Sequence, residues 1–266
     1  MSKYFLVPDI HGELDICAGL LRQEGILNDQ WERIDNDTFT VQMGDFLNCV
    51  VSSLVNDNRC LDHSEWFDFL LVGNHEHPYF GGPAFSGFFK DPVMVHRLRL
   101  LDSMERYKVA VDCDGILVTH AGVTTDLFDA LQQEGVKASK IADALNGLWK
   151  MDKTAHPFSS ISWNRGGPYK TGGILWADWK EYKTPKLTQI VGHSVGPEVR
   201  LQYKGSQREV TLKGVNRAEW NLWEAICIDL GAGKHSDRII GAWIKDGDVT
   251  LVEYIQKGER KVNVNN

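Results

Sequence analysis

The chain has 266 residues, 42% hydrophobic and 24% charged, with a formal net charge of −7. This is ordinary globular composition, and the acidic balance excludes bulk electrostatic attraction to nucleic acid. No basic start precedes a long apolar run and no stretch approaches ~18 unbroken apolar residues, so neither secretion nor membrane spanning is expected. The five cysteines (Cys17, Cys49, Cys60, Cys113, Cys227) are scattered without a CxxC pair, which fits reduced thiols in the cytoplasm better than disulfides or a zinc–thiolate site.

The chain opens on a short apolar strand, KYFLVPD, followed by ELDICAGLLRQEG, where Leu14, Cys17, Leu20 and Leu21 have helical spacing closed by Gly25. TFTVQM and FDFLLV read as strands separated by a helical stretch. PVMVHRLRLLDSMER reads as a helix with Pro92 in its first turn. YKVAVDCDGILVTH reads as two strands around a DCDG hairpin turn. Two helices follow, near 127–134 and 139–151, and then a Gly- and aromatic-rich loop, HPFSSISWNRGGPYKTGG. The last third is strand-rich: LTQIVGH, VRLQY, EVTLK, EAICIDLG, RIIGAWIKDG and DVTLVEYI. No linker divides the chain, so one domain over 1–255 and a polar, mobile tail over 256–266 are expected. The order of elements predicts an α/β fold, a two-sheet αββα sandwich with helices on the outer faces. In such folds catalytic groups gather on loops at strand C-termini.

Five apolar strands share one ending, a turn carrying metal-capable side chains. They are LVPDIHG (Asp9, His11), VQMGDFLN (Asp45, Asn48), LLVGNHE (Asn74, His75), LVTHAG (His120) and QIVGHS (His193). One such ending alone is more often a turn or cap. Together they supply carboxylate, imidazole and amide oxygen, a mixed set that suits Mn, Fe, Zn or Ni. No cysteine is among them, which disfavours a structural zinc site.

In order, these stretches follow the pattern DxH, GD, GNHE, H, GH. The chain thereby resembles the calcineurin-like metallophosphoesterase superfamily. DIHG, GNHE, HAG and a GH with a single histidine are most similar to its phosphoprotein-phosphatase branch, which includes bacterial and phage serine/threonine phosphatases and symmetrical diadenosine tetraphosphatases. GGILWADW and IDLGAG extend the resemblance to roughly 5–254. It implies a metallophosphoesterase-type sandwich and a binuclear metal centre, most often Mn²⁺, with Fe, Zn or Ni as alternatives. Asp9 and His11 would hold the first metal, Asp45 would bridge both, and Asn74, His120 and His193 would complete the second. A hydroxide bridging the metals would attack phosphorus, and His75 would protonate the leaving oxygen. Glu76 reads as a supporting or turn residue and His77 as an ordinary loop histidine.

One motif departs from the family. GDxVDRG reads GDFLNCV here, so Asn48 replaces an aspartate that would pair with the catalytic histidine, and Cys49 replaces a phosphate-gripping arginine. Asn48 is expected to orient His75 through its amide oxygen without lending charge. Arg165, in SWNRGGPY, is the best replacement clamp. The loop PYFGGPAFSGFF either packs on the core, the safer reading, or walls the site, and Trp176 reads as core. The resulting expectation is a metal-dependent phosphatase acting on a phosphorylated protein or a small phosphate ester. Nucleotide hydrolysis (a dinucleoside polyphosphate or cyclic nucleotide) and a non-catalytic phosphate- or protein-binding member are the alternatives.

Overall fold

β1 (Lys3–Val7) sends Phe5 and Val7 into one apolar cluster and Leu6 into another. A strand buried on both faces belongs in the middle of a covered sheet. The computed structural model, which describes residues 2–182, 187–203, 206–210, 224–232 and 237–256, places it there. β1 runs parallel to β2 (Thr38–Gln42), and β3 (Phe69–Leu71) and β4 (Tyr107–Lys108) continue the parallel order. On its other edge β1 is antiparallel to β11 (Arg238–Lys245), whose outer neighbour is β12 (Asp248–Ile255).

The second sheet has the order β5 (Ala110–Cys113), β6 (Ile116–Thr119), β7 (Gln189–Val191), β10 (Ala225–Cys227), β8 (Val199–Tyr203) and β9 (Ser206–Val210). Its three central strands, β6, β7 and β10, are parallel. Leu6, Val41, Leu71, Val118, Ile190 and Ile226 meet between the sheets. Outside them lie α1 (Leu14–Gln23), α2 (Leu54–Asp62), α3 (Pro92–Ser103), α4 (Thr125–Gln133) and α5 (Ile141–Met151). α1 buries Leu14, Cys17, Leu20 and Leu21 as the spacing predicts. Asp91 caps α3 by accepting a hydrogen bond from the Met94 amide at 2.8 Å, one residue before Pro92. The expected two-sheet αββα sandwich is the observed fold.

The hairpin at DCDG is present, with Asp114 and Gly115 both at positive φ (52° and 87°), as its tight turn requires. The segment before it differs from the reading as one strand. Val109 separates β4 from β5, and the chain changes sheet there. Asn146 of α5 makes the crossing possible: its Oδ1 accepts from the Val109 amide at 2.9 Å and its Nδ2 donates to the Ala110 carbonyl at 2.7 Å. Main-chain groups that leave one ladder are thereby satisfied before joining the next. Of EVTLK only Glu209 and Val210 fall in the described residues, within β9, and the tail beyond 256 lies outside them. Among the described residues no helix is long and apolar enough to cross a membrane.

Candidate metal centre

The loops that follow β1, β2, β3, β6 and β7 all leave parallel strands at their C-terminal ends, and they converge. Asp45, after β2, is their common member. One of its carboxylate oxygens lies with donor atoms of His11 and His75, and one with those of His120 and His193, each group within 4.8 Å. The His75 amide donates to Asp45 Oδ1 at 2.9 Å, which ties the second loop to the third. Asp9 accepts from the His193 amide at 2.9 Å through Oδ2, while its Oδ1 lies 3.8 Å from His120 Nδ1. Asp9 therefore sits against His120 and His193, in neither three-residue group.

Hydrogen bonding around His120 points to a cation. Its Nδ1 lies 3.1 Å from the Met43 carbonyl, which can only accept, so the ring proton is there and Nε2 carries a lone pair. Asn74 Oδ1 and His193 Nδ1 each lie 3.1 Å from that Nε2, and Asp45 Oδ1 lies 3.5 Å away. Apart from the His75 amide, which already serves Asp45 Oδ1, only His193 Nδ1 can bring a proton to this cluster, and one proton cannot serve both His120 Nε2 and Asn74 Oδ1. A metal ion can. His193 Nε2 and Asp9 Oδ1 are also buried with no hydrogen-bond partner. Leaving a buried polar atom unsatisfied costs about 1–3 kcal/mol, and metal ligation would remove that cost. The donor set fits a divalent ion with mixed N/O ligands, as the resemblance implies.

Electrostatics agree. Burial pushes the His120 imidazole down to about 3 and the His193 imidazole well below its ordinary value, so both keep the neutral form a metal ligand needs. Burial, then the neighbouring Asp229 and Asp45, holds the Asp9 carboxyl well above the usual carboxylate range. Such crowding of buried carboxylates is what a bound cation relieves.

The backbone is bent to make this arrangement. His11, Asp45 and His193 have positive φ (47°, 47° and 63°), a conformation that costs a non-glycine residue roughly 1–2 kcal/mol. Strain of this kind gathers at functional sites. Glycines of the strand endings make the space. A Cβ on Gly73 would lie 2.1 Å from Asp45 Oδ1, and one on Gly192 would lie 2.1 Å from Asp9 Oδ1. Each glycine thus admits a carboxylate from a different loop.

His75 is held differently. Its Nδ1 donates at 2.7 Å to the main-chain carbonyl of Asn48, and its ring stacks on Phe85 at 4.0 Å. The expected side-chain contact from Asn48 is thus replaced by a main-chain one. The reason lies in Asp57, on α2. Its buried carboxylate accepts from the amides of Asn48 (2.8 Å) and Cys49 (2.9 Å) and from Ser53 Oγ (2.7 Å), turning the Asn48 carbonyl toward His75. Cys49 is fully buried, so nothing at that position reaches a substrate.

Glu76 joins the loops from beneath. Its carboxylate accepts from the amides of Asp45 (3.0 Å), Leu47 (2.8 Å) and Gly73 (2.9 Å), and burial followed by Asp45 pushes its pKa up to about 8. His77 is no ordinary loop histidine, because it is fully buried and donates from Nε2 to the Lys153 carbonyl at 2.7 Å. The aromatic loop does both things considered for it: Tyr79 packs in the core, while Phe85 covers His75. Trp176 is buried, as expected, and Trp163 is 64% exposed.

Arg165 reaches the rim of the centre. Its Nη2 donates to Ser194 Oγ at 2.7 Å and lies 3.4 Å from the His193 carbonyl, and its Nε pairs with Asp178 at 3.1 Å. Sequence reading missed two contributors. Asp57 carries no local signal, being linked to the site only through the tertiary path of its loop. Asp229 did carry one, since IDLG is another apolar strand ending in a carboxylate and a glycine. It is buried just beyond parallel strand β10, close enough to raise the Asp9 pKa.

No protein-family model and no curated protein matches the chain. Solved structures do. A cold-active protein-tyrosine phosphatase from a psychrophilic Shewanella aligns with a TM-score of 0.58 at 13% identity, over 96% of this chain and 80% of that one. A point mutant of a cold-active protein tyrosine phosphatase aligns at 0.60 and 14% identity, again over 96% and 80%. The similarity is one of fold. It spans nearly the whole of this chain.

Proposed function

We propose, taking this metallophosphoesterase-type sandwich as the premise, that the chain is a metal-dependent hydrolase of phosphoric monoesters, a phosphatase. The observation that carries the reading is the set of proton-poor acceptors around His120 Nε2 and the sharing of Asp45 between two donor groups. Asp9, His11, Asp45, Asn74, His120 and His193 would hold two divalent ions, most readily Mn²⁺, with Asp45 common to both. When bound, the ions supply Lewis-acid polarisation of the phosphoryl group and an activated water. The fold shared with solved phosphatases supports the class of reaction.

The chain's own groups do the rest. His75 presents Nε2 toward the centre, 3.9 Å from Asp45 Oδ2, while its Nδ1 proton is committed to the Asn48 carbonyl. Protonated at Nε2, it delivers that proton to the departing oxygen and keeps its orientation afterwards. Phe85 shields one ring face from water. Arg165, at the rim, would meet a phosphoryl oxygen, and the Asn74 amide would touch the same group. The substrate is a phosphorylated protein or a small phosphate ester. Its binding replaces part of the hydration of a site that is otherwise closely packed.

The test is metal-stripped protein titrated with Mn²⁺, followed by hydrolysis of 4-nitrophenyl phosphate and of an alkyl phosphate. Two ions bound per chain, with activity rising in step, is the expected result. Activity unchanged by a chelator would remove the proposal.

A further inference from the structure

Beside the candidate metal centre lies a cleft of about 470 Å³, of which the chemistry above uses only Arg165 at its edge. Among the described residues its walls carry Arg165, Lys180, Arg200 and Arg208 with two carboxylates, Asp178 and Glu209, the first of which pairs with Arg165. In a chain with a net charge of −7, an excess of cations in one cleft is unusual. We propose that this cleft binds a second anionic group on the substrate, so that preferred substrates are phosphate esters whose leaving group carries a further phosphate or carboxylate. The proposal rests on the hydrolase reading for its catalytic half.

Arg200 is the main support. Among the described residues it makes no ion pair within 4 Å, its nearest counter-charge being Glu209, the register partner opposite it on β9. Its Nη2 donates to Cys227 Sγ at 3.0 Å, its guanidinium lies 5.6 Å from the centre of the Trp179 ring, and its Nε is buried without a hydrogen-bond partner. A thiol is a weak acceptor, an aromatic face a weak counter-charge and Glu209 forms no close ion pair with it, so this cation can still attract an incoming anion. Cys227 in turn lies 3.5 Å from the Gly192 carbonyl and 3.4 Å from that of Ser194, on either side of His193. The arginine is thereby indexed to a candidate metal ligand.

Ser194 gives the cleft a neutral donor. Its Oγ accepts from the Trp179 amide at 3.0 Å and from Arg165 Nη2 at 2.7 Å. With both lone pairs engaged, its own O–H is left to donate. Arg165 touches the His193 carbonyl and lines the cleft, so a substrate with its reacting phosphate at the metals can extend past it toward Arg200.

A three-carbon series tests this: glycerol 3-phosphate, 3-phosphoglycerate and 2,3-bisphosphoglycerate at fixed free Mn²⁺. The two with an added anion should show kcat/KM roughly ten- to a hundredfold above the first, through KM, as a charged hydrogen bond allows. A gain confined to the bisphosphate identifies phosphate as the anion, and a gain for both admits carboxylate. Arg200→Met should remove most of the gain, and Lys180→Met, at an exposed position, should reduce it even if the first variant folds poorly. Added salt should shrink it. Equal kcat/KM across the series, or a full gain in both variants, overturns the proposal. If the wild type hydrolyses neither these nor 4-nitrophenyl phosphate, the hydrolase reading fails. Calorimetric binding of 2,3-bisphosphoglycerate against glycerol 3-phosphate then decides the cleft, and equal affinities would overturn it.

Discussion

The two sides of Asp45 are built to different specifications. On one side His120 and His193 are buried, deprotonated by their surroundings, and aimed at one another and at Asn74 with too few protons to satisfy them. On the other, His11 and His75 are partly exposed, and His75 is fixed by a carbonyl and an aromatic ring. The first arrangement favours an ion that stays, because neutral buried imidazoles have no better partner. The second leaves one imidazole nitrogen facing the centre while the other is locked, which is what a proton donor requires. A shared carboxylate between them makes both sides fail together if it is lost.

Loss of Asp45 should therefore have the largest effect. Asp45→Asn removes the common ligand charge, so metal content should fall on both sides and turnover should drop to background. Elemental analysis checks it, and a variant that still holds two ions would break the comparison at its centre. His75→Asn should separate the sides. It should keep its metal but lose about 10²–10⁴-fold on an alkyl phosphate, and much less on 4-nitrophenyl phosphate, whose leaving group needs little protonation. Equal losses on the two substrates would assign His75 to metal binding instead.

A smaller effect is expected at Asp57. Asp57→Ala frees the amides of Asn48 and Cys49 and should cost about 1–3 kcal/mol of stability. With the Asn48 carbonyl loosened, the alkyl phosphate should lose roughly tenfold while 4-nitrophenyl phosphate loses less. Thermal unfolding and the ratio of the two rates report on each part. Asn48→Ala should change that ratio little, because the group that holds His75 is the carbonyl the variant retains. A loss as large as that of His75→Asn would restore a role for the Asn48 side chain.

The smallest expected effect, on stability alone, concerns His77. Burial lowers its pKa to about 4 from an ordinary 6.5, and its Nδ1 has no acceptor for a second proton. The unfolded chain binds this proton more readily, so the contribution of His77 is fully present above pH 6.5. It fades as pH falls toward 4, by at most about 3 kcal/mol. His77→Gln should be less stable than wild type at pH 7, with the gap narrowing on acidification in denaturant titrations. A constant gap would show that His77 does not titrate on unfolding.

What was legible in the sequence was local. Each proposed ligand stands within a few residues of a strand end, and Gly44, Gly73 and Gly192 beside three of them give room to another, so Asp9, His11, Asp45, Asn74, His120 and His193 could be read from their own neighbourhoods. Asp229 obeys the same local rule and could have been read too. Asp57 could not, because its link to His75 passes through a loop whose path only the folded chain defines. Nor could the sheet change at Val109, which depends on Asn146 arriving from a helix far along the chain. Arg165 was legible as a cation near the site. Its sharing between Ser194 and Asp178 was not.

Pairing of β1 with β11 has a consequence for the chain as it is synthesised. All six proposed ligands have been made once His193 leaves the ribosome. The strand that positions Asp9 and His11 has β2 on one edge but lacks its other neighbour until Lys245, whose register partner is Lys3. At typical elongation rates that final stretch adds roughly 3–10 s. During that interval a nascent chain carries every ligand yet lacks the edge that holds the first of them in place. Competence to take up metal should thus arrive with the last third of translation, which protects a half-made protein from trapping an ion in the wrong geometry.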